Sequence, residues 1–116
     1  MSQMNGADRL LNGANWFMTD AQGYLMTQLT SGGRRSDPLY SDAIIADDNW
    51  HRVGFTWDGT NRILYVDDVQ VAHDTQSALK GSEGGLHFGA GYDLEATSFF
   101  DGMIDDIRIY DQAVTP

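Results

Sequence analysis

The sequence predicts an all-β fold, a single antiparallel β-sandwich, on three observations. The chain has 116 residues, 41% of them hydrophobic and 11% aromatic, enough for one core and too apolar for a disordered chain. Its acid is nearly all aspartate, Glu83 and Glu95 being the only glutamates. Aspartate is poor in helix interiors and good in turns, where its carboxylate takes nearby backbone N–H groups. Thirteen glycines point the same way. The third observation is local. Across residues 51–57, Val53, Phe55 and Trp57 alternate with Arg52, Gly54 and Thr56, the period of a half-buried strand.

Taken in order, residues 1–13 read as a loosely ordered lead-in, and residues 14–116 as the domain. Residues 15–19 form the first strand, Asp20-Ala21-Gln22-Gly23 a turn, and residues 24–30 a returning strand of alternating character. Residues 31–37 are a Gly-rich loop carrying the paired Arg34 and Arg35. Residues 38–48 hold a short extended piece and a helical turn anchored by Ile44-Ile45. After the strand at 51–57, Asp58-Gly59-Thr60-Asn61 turns the chain. Residues 62–66 and 69–73 are then two strands joined by Asp67-Asp68, a hairpin whose turn pair is weaker than Asn-Gly or Asp-Gly. Residues 86–91 give another short strand, and residues 98–110 one or two closing strands broken at Asp101-Gly102.

Charge narrows the partners. A formal net charge of −10 and a single lysine, Lys80, leave no basic footprint for phosphate backbones or anionic lipid, so neither nucleic acid nor membrane is an expected partner. The absence of cysteine excludes disulfides, thiolate zinc and cysteine nucleophiles together. No apolar run is long enough to span a bilayer, and Met1-Ser2-Gln3-Met4-Asn5-Gly6 lacks the basic and apolar regions of a signal peptide. The expectation is a chain that is cytoplasmic, or one exported by a segment it does not include.

From Asn49 onward the wording resembles a known family. Asn49-Trp50-His51-Arg52-Val53-Gly54-Phe55-Thr56-Trp57-Asp58-Gly59-Thr60, the hairpin Leu64-Tyr65-Val66-Asp67-Asp68-Val69, the stretch Leu86-His87-Phe88-Gly89 and the closing run from Phe100 to Tyr110 are similar, in that order, to the later segments of laminin-G-like jelly rolls of the concanavalin-A-like fold. Asp68 stands where that family usually has glycine. The family's opening strand motifs have no counterpart here, and a jelly roll needs about eight strands. The chain is therefore either a fragment or a short variant that pairs its exposed strand edges in a homo-oligomer, and the second reading is preferred. The resemblance implies a non-catalytic binding module for a glycan or glycoprotein, extracellular or on the cell surface, with calcium as the one expected cofactor. The alternative is a structural self-association domain, and a glycoside hydrolase of the same fold stands third.

The residues weigh against catalysis. Retaining glycosidases use two carboxylates about 5–5.5 Å apart, whereas Glu83 and Glu95 fall in separate loops and the Asp47-Asp48, Asp67-Asp68 and Asp105-Asp106 pairs are adjacent, so in strands they face opposite ways. No G-x-S-x-G elbow accompanies the histidines. Asp105 is the candidate metal ligand, because in the closing strand it shares a face with Ile107 and Ile109 and must be paired or metal-bound if desolvated. A structural role, with backbone N–H bonds or a partner such as Arg52, is the favoured account. Trp50 and Trp57, within the resemblance, read as core. For a sugar the candidates are Trp16, Tyr40, Tyr92 and the Arg34-Arg35 loop, aromatic and polar groups of the kinds a carbohydrate site combines.

Overall fold

The computed structural model describes residues 1–4, 13–28, 30–31, 34–35, 37–76, 86–89 and 100–114. Among them are ten strands and no helix: β1 (Ser2–Met4), β2 (Gly13–Thr19), β3 (Tyr24–Gln28), β4 (Thr30–Ser31), β5 (Arg34–Arg35), β6 (Leu39–Ile44), β7 (Val53–Trp57), β8 (Asn61–Val66), β9 (Val69–Thr75) and β10 (Leu86–His87). They form an antiparallel sheet in the order β10-β1-β2-β3-β6, a second sheet β7-β8-β9, and the small ladder β4-β5.

The two larger sheets face one another as a sandwich. Leu25 of β3 and Leu39 of β6 pack against Leu64 and Val66 of β8, and Phe17, Ala43, Val53, Phe55 and Val71 close round them. Strand alternation explains the choice of side chains. In β6 the inward positions are Leu39, Ser41 and Ala43, and the outward ones Tyr40, Asp42 and Ile44. In β8 Arg62, Leu64 and Val66 are buried, and their register partners in β7 are Trp57, Phe55 and Val53, so the aromatic face read from the sequence is the inner face. Arg62 is charged yet buried. It donates from Nε to Asp74 Oδ1 at 2.7 Å, pairs through Nη2 with Asp74 Oδ2, and donates from Nη2 to the Asp37 carbonyl at 2.8 Å, which ties β8 to both β9 and the approach to β6.

Three expectations change. Residues 2–4 are not a loose lead-in but β1, held between β2 and β10, and Trp16 N–H donates to the Met1 carbonyl at 2.9 Å. Residues 39–44 are wholly extended, with bends and no helical turn at 47–49. The closing strands are not formed in the described part, 100–110. Asp106 has φ +53°, outside the extended region, and its N–H turns back to Asp105 Oδ1 at 2.8 Å. The even alternation that would have built one strand is broken there. Ile107 and Ile109 are exposed in consequence, as are Met103 and Tyr110.

Candidate functional site

Beyond β6 the chain is fixed before it is displayed. Ile45 N–H donates to the Gly23 carbonyl at 2.9 Å, and a Cβ on Gly23, whose φ is +89°, would stand 2.8 Å from Ala46 Cβ. Only glycine suits both the backbone angle and that approach. Residues 47–49 then bend: Asp47 Oδ1 accepts the Asn49 N–H at 3.1 Å and Asn49 Nδ2 donates to the Asp47 carbonyl at 3.2 Å, an Asx turn, with Asp48 at φ +62°. Trp50 follows and is 64% exposed.

The β8–β9 turn meets this loop. Asp67 and Asp68 have φ +51° and +67°, the two left-handed residues of a type I′ turn, which aspartate tolerates better than most side chains. Asp67 N–H donates to the Arg52 carbonyl at 2.7 Å, and Arg52 N–H returns to Asp67 Oδ1 at 3.0 Å. His51 completes the join, with Nδ1 2.8 Å from Asp67 Oδ2 and Nε2 2.8 Å from Asp47 Oδ1. Arg52 reaches Asp68 at 3.4 Å across open surface. Loop and turn thus make one ridge, with Trp50 on it.

Protonation follows from these contacts. The hydrogen bonds to Asp67, and then to Asp47, hold the His51 imidazole above its usual 6.5. His51 in turn holds Asp47 and Asp67 below the ordinary carboxylate value, helped at Asp67 by the Arg52 N–H. The ridge carries the carboxylates of Asp47, Asp67 and Asp68, with His51 between the first two and Arg52 against the third. Chemically it offers an apolar indole plate, many hydrogen-bond acceptors and few donors. That combination suits a polyhydroxylated ligand without negative charge.

The Asp47–His51–Asp67 contact includes none of the residues picked from the sequence. Trp16, on β2, is half-buried and meets Phe55 of β7 in a tilted ring contact at 5.8 Å and 60°, so its ring helps join the two sheets. Tyr40 is exposed on the outer face of β6 beside Asp42 and Ile44. Arg34 and Arg35 are β5 itself, and Tyr92 lies outside the described residues. Asp105 stands in the open, not desolvated beside Ile107 and Ile109 as expected, and accepts the Asp106 N–H; Asp106 is engaged by Arg108 at 3.0 and 3.2 Å. Calcium wants six to eight oxygens, and among the described residues no group of three or more His, Cys, Asp or Glu is placed to hold a metal. Trp57 packs inward as read, donating from Nε1 to the Gln76 carbonyl at 2.8 Å, but Trp50 does not. Strand parity held the signal: Trp50 is in phase with Arg52, Gly54 and Thr56, the outer set.

Comparison with known proteins adds the following. A family model described as the concanavalin A-like lectin/glucanases superfamily matches residues 3–116. A crystal structure of residues 221–444 of an S-layer domain-containing protein from Clostridium thermocellum matches with a TM-score of 0.46 at 21% identity, over 98% of this chain and 57% of that one. The chain thus spans little more than half the length of that structure. No match was found among curated proteins.

Proposed function

Since the chain belongs to the concanavalin A-like lectin/glucanase superfamily, we propose that it is a non-catalytic binding module for neutral glycans or glycan-bearing partners outside the cell, engaging them through the Trp50 ridge. The observation that carries this is the exposure of Trp50, 64%, on a loop fixed by Gly23, Asp47 and His51. A tryptophan costs solubility when left in water without a partner, and an indole face packs on the C–H face of a pyranose while neighbouring carboxylates accept its hydroxyl hydrogens. The carboxylates turn away sulfated and uronic acid sugars. The test is a glycan array probed with the full chain in calcium and again in chelator, with Trp50→Ala beside it. The expected result is binding to neutral glycans that falls about 30-fold in the variant, the roughly 2 kcal/mol of an aromatic anchor, with an unchanged melting temperature. Binding that the variant retains overturns the site. Binding lost in chelator adds calcium to the reading.

The structural, self-associating reading has its own observation. Met103, Ile104, Ile107, Ile109 and Tyr110 are each about half exposed or more, a large apolar surface for one copy of a chain. Sedimentation over a wide concentration range decides it: a monomer throughout removes self-association, and an oligomer with no glycan binding replaces the first reading.

A further inference from the structure

His51 poses a problem of proton count. Each ring nitrogen lies 2.8 Å from a carboxylate oxygen, Asp67 Oδ2 on Nδ1 and Asp47 Oδ1 on Nε2. A carboxylate only accepts, so both bonds exist together only when both nitrogens carry hydrogen, that is, in the imidazolium. A neutral ring keeps one arm and turns a lone pair toward the other carboxylate. The two arms lead to different elements, the 47–50 loop and the β8–β9 turn, and the side chain is 17% exposed, close enough to solvent to exchange its proton. The charged groups around it are Asp47 on the loop side and Asp67 on the turn side, with the Arg52–Asp68 pair alongside.

We propose that His51 is a proton-operated latch for the Trp50 ridge: as imidazolium it joins the 47–50 loop to the β8–β9 turn, and on losing its proton it releases one of them. If the ridge binds glycans as proposed above, ligands are held in mildly acidic surroundings and let go as the medium becomes alkaline. The bonds that fix the loop to its own backbone, Asn49 N–H to Asp47 and Ile45 N–H to Gly23, do not depend on His51, so the change is confined to the ridge and the sandwich stays folded.

The experiment needs no ligand, which separates its outcome from that of the glycan assay. Imidazole nitrogen resonances of the ¹⁵N-labelled full chain are followed from pH 5 to 9, with the His51 signal assigned by its loss in His51→Gln. The expected result is a His51 midpoint above 6.5, with the amides of Asp47–Trp50 and of Asp67 and Asp68 shifting at the same midpoint and exchanging hydrogen faster beyond it. Asp47→Asn keeps an acceptor but removes the charge, so its midpoint falls toward 6.5 while the fold persists; this variant serves if His51→Gln does not fold. A His51 midpoint at or below 6.5, or ridge amides that ignore it, overturns the latch.

Discussion

The pair Arg62–Asp74 gives the sharpest test of the sandwich. Its side chains are 2% and 34% exposed, they sit opposite each other in the β8–β9 register, and the guanidinium also donates to the Asp37 carbonyl. Asp74→Ala leaves a desolvated cation without its carboxylate, a change that costs about 3–5 kcal/mol in buried pairs. The one-third exposure of Asp74 admits water, so the lower end, about 3 kcal/mol, is expected. For a domain of this size that lowers the melting temperature by roughly 10 °C. Urea titration followed by Trp fluorescence measures it, with an unchanged slope showing that the denatured state is unaltered. Arg62→Leu with Asp74→Val removes both charges and should recover most of the loss. A cost below about 1 kcal/mol, as for an exposed pair, would mean that the inner face of β8 is wet and that the packing of the two sheets is wrongly described.

Asp68→Gly should raise stability by about 1 kcal/mol, since it removes a left-handed side-chain penalty and only an exposed ion pair; Asp67→Gly should lower it, because Asp67 also holds His51 and the Arg52 N–H, and thermal melts of the two compare them directly. Stability should be greatest in mild acid. The raised His51 contributes fully below its usual 6.5 and is lost as pH rises through its folded value, while the depressed Asp47, Asp58 and Asp67 contribute above 3.8 and are lost as pH falls through theirs. Melting temperature against pH should therefore form a plateau between these values, and His51→Gln should flatten its alkaline side and weaken its acid side as well, where Asp47 and Asp67 lose their largest cause of depression and Asp58 does not. Incubation with β-glucans should release no reducing sugar, measured over hours at high protein concentration, and any release that scales with protein refutes the non-catalytic reading.

The core of the fold was legible because period-two patterning is a direct imprint of burial. Val53, Phe55 and Trp57 could be assigned to the inner face without coordinates, and β7, β8 and β9 lie where the alternation put them. The site was less so. Trp50 sits one residue before that pattern begins, and a motif resemblance drew it into the core although its parity placed it outside. The Asp47–His51–Asp67 contact joins residues up to twenty apart through two strands and the turn between them, and no local spacing announces it. Composition did carry a trace. All four non-glycine residues with positive φ among those described, Asp48, Asp67, Asp68 and Asp106, are aspartates, so the unusual aspartate content is partly a requirement of left-handed corners. At Asp106 the same residue type undid an expectation, because a left-handed corner inside Met103–Tyr110 ends the alternation that hydropathy alone suggests.

The superfamily holds both lectins and glucanases, so the fold leaves open which chemistry the ridge performs. The carboxylates themselves bear on it. Glycoside hydrolysis needs one carboxyl that keeps its proton near neutrality while the other stays ionised, and enzymes obtain that by burying the acid in an apolar pocket or setting two carboxylates against each other. Asp47 and Asp67 are arranged the opposite way. A shared histidine stands between them and holds both below the usual carboxylate value, so each is ready to accept a hydrogen bond and neither to donate a proton to a leaving group. Ionised acceptors beside an exposed indole support the recognition proposed above and lend no support to cleavage of a glycosidic bond.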